Sequence, residues 1–442
     1  MFRPAFVGQY RLGNSLCVQP MEGCDGTLDG RPEELTFRRW RRIGAGGAKL
    51  LWGEATAVSD DARANPRQLL LNENTAADFQ TLLAGCRQAH RDAIGSDVDL
   101  LVGLQLTHSG RYSYRRPILA HHDGLLDPRT FDHATGKTID ANYPLAPDDY
   151  LKKLTESYVS AAGLAFKVGF QFVDIKQCHG YLLNELLGAR TRPGPYGGSL
   201  ENRTRLARDI ICRIRSEVPG LLIASRLNVF DGIPFFKGSE DGIGKPCEMH
   251  KPLETVWGGR PEAPLQPDLT EALAWIAEMA GLDVKLLNVS LGNPYVSPHL
   301  LRPFEYPPPD GYQSPEHPLE GVDRHFNLTA AVQQAFPDLP IVGSGYSYLQ
   351  EFLFHAGAAN VRDGRVTFVG VGRASLPQPD FARQLVEHRQ LDRRRTCRTF
   401  SYCTALMRAK ENELGQFAAG CPPFDKEVYG PIWREAKRSG DV

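Results

Sequence analysis

No stretch of the chain stays apolar for the length of a membrane span. The first residues, MFRPAFVGQYRLGN, carry no apolar core of the kind a secretory leader needs. Charge of one sign is also missing: 51 Lys and Arg against 52 Asp and Glu leave a formal net charge of −1. That removes the global electrostatic case for nucleic acid or an anionic membrane. The nine cysteines (17, 24, 86, 178, 212, 247, 397, 403 and 421) are odd in number and widely spaced, with no tight C-x-x-C pair. They read as reduced thiols rather than as a disulfide framework or a metal site. Internal repeats and low-complexity runs are absent. The expectation is a cytoplasmic protein acting on a small molecule, with no nucleic-acid or membrane partner and no bound metal; a homo-oligomer stays open.

What is present is a large apolar fraction, 42% of 442 residues, enough for an extensive core. Strand-like and helix-like stretches alternate along the chain. Eight short apolar runs read as strands: Leu16–Pro20, Lys49–Ala55, Leu100–Leu106, Phe172–Ile175, Leu221–Leu227, Val284–Ser290, Ile341–Gly343 and Val366–Gly370. Leu100–Leu106 is almost continuously apolar, as in a parallel sheet buried on both faces. Helical spacing follows at Glu33–Ile43, Thr75–Ile94, Pro147–Val168, Ser199–Val218, Leu269–Ala280, Asn327–Phe336, Tyr346–Ala356 and from Pro379 to about Leu391. Ser199 is placed to cap its helix. Eight such units predict a (β/α)8 TIM barrel over residues 1–393, with a C-terminal extension over 394–442. Gly44-Ala-Gly-Gly47 follows a helix and precedes a strand, so it is not a dinucleotide loop, and a doubly wound sheet is disfavoured. Two Gly- and Pro-rich stretches, Asp231–Pro267 and Pro298–Leu319, are too long for simple connections and read as insertions shaping a pocket.

Barrels place chemistry at the carboxyl ends of their strands. Two such ends, Gly343-Ser344-Gly345 after the seventh strand and Gly370-Val371-Gly372-Arg373 after the eighth, combine glycines with one arginine. Adjacent loops of this kind hold a phosphate with backbone N–H groups, and Arg373 adds a bidentate cation. The fourth strand ends in Lys176, Cys178, His179 and Tyr181 and runs on into YGGSLENR. The frame HGYL…YGGSxENR resembles the signature of the old yellow enzyme family of FMN-dependent ene-reductases, and the order of the chain fits that family from about Leu12 to Pro379.

The resemblance implies FMN as cofactor, with NADH or NADPH as reductant. It implies that Gly343, Ser344, Gly345, Gly372 and Arg373 hold the FMN phosphate and that Gln105, in QLTHSGR, meets the polar edge of the flavin ring. Arg226 would sit near flavin N1, with an ion pair to Asp174 as the structural alternative, and Pro20, Met21 and Ala57 would frame the ring. His179 would hold a substrate carbonyl and Tyr181 would supply a proton to the α-carbon. Two positions depart from the family pattern. Lys176 stands where the first of two substrate-holding imidazoles is usual, and Glu22 where Thr or Cys faces the flavin. Each could serve catalysis or simply pair with the other, or Lys176 with Asp174. Cys397, Cys403 and Cys421 are similar in place to cysteines of relatives that carry an iron–sulfur cluster, but their spacing favours plain thiols. Three rivals stay open beside alkene reduction: a flavin enzyme oxidising a small organic substrate, a flavin-holding barrel without turnover, and a flavin-free barrel acting on a phosphorylated sugar.

Overall fold

The apolar runs become the staves of one closed ring. In the computed structural model, which describes residues 1–409 and 415–440, eight parallel strands pair in sequence order: β1 (Leu16–Val18), β2 (Leu50–Ala57), β3 (Leu101–Thr107), β4 (Phe172–Ile175), β5 (Leu222–Phe230), β6 (Val284–Leu291), β7 (Ile341–Gly343) and β8 (Phe368–Val371). β8 pairs with β1, closing the ring. The longest seams are β5 against β6 and β2 against β3. This is the (β/α)8 barrel that the alternation predicts.

The interior is packed, not hollow. At the amino end, Cys17, Leu50, Leu101, Phe172, Leu222, Leu286, Val342 and Phe368 meet Ala5, Val7 and Leu12 of an N-terminal hairpin (Ala5–Val7 with Tyr10–Leu12). The hairpin plugs that end, so only the carboxyl end is left for a ligand. Phe172 lies against Gly103 on the neighbouring strand; a Cβ at Gly103 would fall 2.3 Å from its ring. Trp52 meets Phe172 edge-on, with centroids 5.0 Å apart.

The outer ring holds α1 (Glu34–Gly44), α2 (Ala76–Ile94), α3 (Asp148–Lys167), α4 (Leu182–Leu187) and α5 (Leu200–Glu217), then α6 (Thr270–Gly281), α7 (Pro298–Leu301), α8 (Pro318–Ala335), α9 (Leu353–Arg362) and α10 (Phe381–His388). Ser199 caps α5 as expected, accepting the Asn202 amide. Three readings are corrected. α8 begins at Pro318, not Asn327: Pro sits in the first turn with the His317 side chain capping the Leu319 amide, so proline opens this helix instead of marking a loop. The stretch Tyr346–Ala356 is not one helix; a 3-10 segment runs to Phe352, and Gln350 (φ 53°) breaks it before α9. The insertion 231–267 contains two small hairpins, Phe235–Lys237 with Gly244–Pro246 and Gly259–Arg260 with Ala263–Pro267.

The tail, of unassigned structure in the sequence reading, forms α11 (Tyr402–Arg408) and α12 (Lys426–Arg438), joined through Leu406, Phe417 and Ala436. It is fastened to the barrel: Asp425 accepts from Arg38 (2.8 Å) and Arg42 (2.5 Å) of α1, and Arg408 donates to Asp310 (2.8 Å).

Because Phe172 fills the space beside Gly103, Gly103→Ala is expected to cost about 1–3 kcal/mol through overpacking. Gly281→Ala, where a Cβ meets nothing within 4 Å, should stay within about 0.5 kcal/mol. Chemical denaturation of the two variants side by side checks the contrast, and equal midpoints would refute this account of the barrel interior.

Candidate active site

At the carboxyl end of β4 the strand alternation decides what faces the barrel axis. Gln177 points outward into the helix layer, donating to Ser225 Oγ (2.9 Å) and accepting from Trp275 Nε1 (2.9 Å). Asp174 and Lys176, two residues apart, share the other face. Asp174 is fully buried and accepts three hydrogen bonds: Gln105 Nε2 (2.6 Å), Trp52 Nε1 (2.8 Å) and the Arg226 backbone N–H (2.6 Å). Burial is the main influence on its carboxyl and raises it to about 6, with the bonds from Gln105, Arg226 and Trp52 opposing. The ion pair between Asp174 and the Arg226 guanidinium, held open in the sequence reading, is not formed: Asp174 takes the main chain of Arg226 and leaves its head free. Arg226 Nε is sealed from solvent and has no hydrogen-bond partner.

Lys176 forms no ion pair with Glu22 or Asp174 among the described residues. Its ammonium stands 3.6 Å from the ring centroid of Tyr181, a cation–π contact. Burial lowers its pKa first, against opposing influences from Cys178 and Glu22. Glu22 accepts from Asn65 Nδ2 (2.5 Å); burial raises it to about 7, with Lys176 the largest opposing influence. The ion pair that was one alternative for Lys176 is therefore absent among the described residues, and burial pushes Lys176 and Glu22 each toward its neutral form.

His179 adopts φ 69° and Gly180 φ 72°, a left-handed pair that turns the chain sharply out of the strand. A non-glycine residue held there is strained backbone of the kind that collects at functional sites. The turn sets His179 Nε2 3.0 Å from Ser290 Oγ of β6. Burial, followed by Arg226 and Lys176, drives its pKa well below the usual histidine value, so the imidazole is neutral. Tyr181 lies beyond, buried, with its hydroxyl 3.1 Å from that of Tyr295. Burial first, then Tyr295 and Glu22, raise the phenol well above 10. Tyr112 stacks on Tyr295 at 3.9 Å and accepts from Asn293 Nδ2 (2.9 Å). The sequence reading missed this wall of Tyr112, Asn293 and Tyr295. Its signal was there, in GRY after β3 and GNPY after β6, two further strand ends.

The other end of the mouth lies between β7 and β8. Gln19 leaves β1 and donates to Gly343 O (3.4 Å) and Ser344 Oγ (3.2 Å), tying that loop down. Gly370 must lack a side chain, since a Cβ would lie 2.1 Å from Gln19 Nε2. Gly345 has φ 94°, and Gly372 heads a single 3-10 turn that begins at Arg373. Met21 packs beside Gly372, its sulfur 3.5 Å from where a Cβ would be. Pro20 and Ala57 are buried at the ends of β1 and β2. Arg373 is buried; Nη2 donates to Pro303 O (2.5 Å), while Nη1 is sealed and unpartnered. Arg373 and the three tail cysteines line one cavity of about 70 Å³.

FMN is a fair test of this geometry, since it carries a polar ring edge at one end and a phosphate at the other. Two bare donors are present, Arg226 Nε on β5 and Arg373 Nη1 after β8. Buried donors without partners are rare, and a ligand that accepts from both resolves them. The residues present fit the group.

With no flavin bound, Glu22 (4.5 raised to about 7) and Asp174 (3.8 raised to about 6) bind protons more tightly folded than unfolded. Their contribution to stability is complete below about pH 4 and lost as pH rises toward 7. Melting midpoints of the flavin-free protein between pH 4.5 and 7 should therefore fall less in Glu22→Gln than in the wild type. A slope unchanged by the substitution would show that Glu22 is not perturbed.

A model of the NADH:flavin oxidoreductase / NADH oxidase family matches residues 1–272. An NADPH dehydrogenase of Halalkalibacterium halodurans is 31% identical over 228 residues, 50% of this chain and 61% of the relative. One from a Geobacillus species is 28% identical over 262 residues, 55% of this chain and 70% of the relative. The chain thus spans less than two thirds of the first of these. An old yellow enzyme homologue from Zymomonas mobilis superposes with a TM-score of 0.61 over 88% of this chain and 93% of its own, at 20% identity, which speaks for the barrel alone. With the family model covering more than half its length, the chain belongs to the NADH:flavin oxidoreductase / NADH oxidase family, whose cofactor, FMN, is the group these residues fit.

Proposed function

We propose that the protein is an oxidoreductase that draws electrons from NADH or NADPH and reduces an activated alkene of the α,β-unsaturated carbonyl type. The observation that supports this reading is that the glycine loops with Arg373, the unpartnered Arg226 Nε, and the His179–Tyr181 pair all belong to carboxyl ends of strands of one barrel. Bound FMN would supply the hydride transfer that links the nicotinamide to the alkene.

The chain supplies orientation and proton control. The Gly343–Gly345 and Gly372–Arg373 loops hold the phosphate, while Gln105, fixed by Asp174, offers its remaining amide functions to the ring edge. Arg226 directs its bare Nε at negative charge developing on the ring; Pro20, Met21 and Ala57 shape the floor. Neutral His179, held by Ser290, hydrogen-bonds the substrate carbonyl oxygen, and Lys176 adds a cation from the adjoining position. Tyr181, kept protonated and backed by Tyr295, delivers the proton to the α-carbon. The tyrosine wall excludes water from that transfer.

A second reading has its own support. Glu22, raised to about 7, is tuned as a general base, and it lies close enough to Tyr181 and Tyr295 to influence both. A base there suits removal of a proton from a substrate being oxidised. Anaerobic spectroscopy separates the two. NADPH should bleach the yellow protein and cyclohexenone restore the colour. A flavin reduced by an amine or alcohol donor and inert to cyclohexenone favours oxidation instead, and a colourless protein defeats both.

Tyr181→Phe is expected to slow recolouring by cyclohexenone about 10²–10⁴-fold while bleaching by NADPH keeps its rate. Equal slowing of both steps in stopped flow would remove Tyr181 as the proton donor. Arg373→Ala should leave most of the purified protein without flavin, and full occupancy would count against the phosphate placement.

A further inference from the structure

Arg302 follows α7 in the loop after β6, outside both phosphate loops. Its Nε and Nη2 are sealed from solvent and have no hydrogen-bond partner, while Nη1 donates to Thr404 Oγ1 of α11 (2.9 Å). The residues on either side are fastened to the phosphate end. The Leu301 carbonyl bonds His325 Nε2 (3.0 Å), and the His325 side chain packs on Gly345, 3.0 Å from where a Cβ would be. The Pro303 carbonyl accepts from Arg373 Nη2 (2.5 Å). The main chain on either side of Arg302 thus touches His325, which packs on Gly345, and Arg373, and the Arg302 guanidinium lies near enough to Arg373 to feel its charge.

The charge there is uncompensated. Burial, then Arg408 and Arg373, hold the Arg302 guanidinium down to about 9. Of the nearby acids, Asp310 is taken by Arg408 (2.8 Å) and Glu316 by Arg324 (2.5 Å). Among the described residues neither Arg302 nor Arg373 pairs with a carboxylate. Two buried cations with bare donors are unfavourable by themselves. A monoester phosphate, near two negative charges at neutral pH, takes both guanidinium edges.

We propose that Arg302 is a second phosphate-binding cation, clamping the terminal phosphate of FMN together with Arg373 and held in place by Thr404 of the C-terminal extension. This rests on FMN being the cofactor, and it gives residues 394–442 a part in cofactor retention.

The test compares FMN with riboflavin, which shares the ring and ribityl chain but lacks the phosphate. Full-length protein freed of flavin is titrated with each, following flavin fluorescence. In Arg302→Met the Kd for FMN should rise about 10- to 100-fold, the range for losing a charge-assisted bond, while that for riboflavin stays within a factor of about three. Thr404→Val should shift FMN alone, by less. Equal weakening of both flavins would mark Arg302 as structural, and unchanged FMN binding would place its edge elsewhere; either overturns the proposal. If Arg302→Met does not melt cooperatively, Arg302→Lys is judged by the same FMN-to-riboflavin ratio. A wild type that binds neither flavin would instead defeat the FMN reading, which keeps the two failures apart.

Discussion

The Asp174 carboxylate is the interaction on which the site depends. It sits on β4, fully buried, and gathers Trp52 from β2, Gln105 from β3 and the main chain of Arg226 from β5. Four consecutive staves are thereby fixed at one height inside the barrel. A buried carboxylate without such donors is costly, and with them it is a rigid anchor. Its choice of donors matters as much as their number. By taking the Arg226 backbone and not its guanidinium, it fixes the strand and leaves the cation free for a ligand; by taking one amide hydrogen of Gln105, it sets the plane in which the rest of that amide is presented.

The free cations then define the ligand. Protein interiors rarely leave donors bare, yet Arg226, Arg302 and Arg373 each do without a carboxylate partner, whereas Arg192, which also has a bare Nε, pairs with Asp148, and Arg365 donates to Asn327. A structure built only for its own stability would have paired them with carboxylates, as it pairs Arg39 with Asp25 and Glu54, or Arg111 with Asp127 and Glu185. The contrast within one chain separates cations that hold the fold from cations kept for something else. A phosphate and a polar ring edge, the two polar parts of FMN, are complements of the sign these cations carry.

The sequence disclosed elements better than pairings. The limits of β4 and β7 were legible because an apolar run between turn residues has few other solutions, and the matched glycine loops marked a candidate phosphate end. α8 was half hidden because its first turns carry Pro318, Glu320, Gly321 and Asp323, a composition that reads as loop until the capping His317 is seen. Gln350 breaks its helix with nothing in its identity to announce it. At the site, Tyr181, His179 and Arg226 were legible one by one. Their partners were not: Lys176 meets an aromatic face instead of an acid, and Tyr295 arrives from a loop more than a hundred residues away. Contacts between distant strand ends depend on barrel register, which periodicity does not encode.

The substitution of lysine for the usual imidazole changes how the mouth handles protons. Lys176 is drawn toward its neutral form by burial, and Glu22 is raised to about 7 by the same cause, while each opposes the shift of the other. Glu22 is poised near neutrality and Lys176 lies below its usual value, two groups that do not touch and that both answer to burial. Lys176 lies over the Tyr181 ring, and Glu22 acts on the same phenol from a distance. A cation on that ring favours its phenolate, and a carboxylate nearby disfavours it. If Tyr181 is the proton donor proposed above, the protonation of this pair would bear on how readily it parts with its proton. In the presence of an anionic reduced cofactor the balance shifts again, since added negative charge holds Lys176 charged and Glu22 protonated. Proton delivery would then be coupled to the redox state of the ring through two residues that the family pattern does not contain.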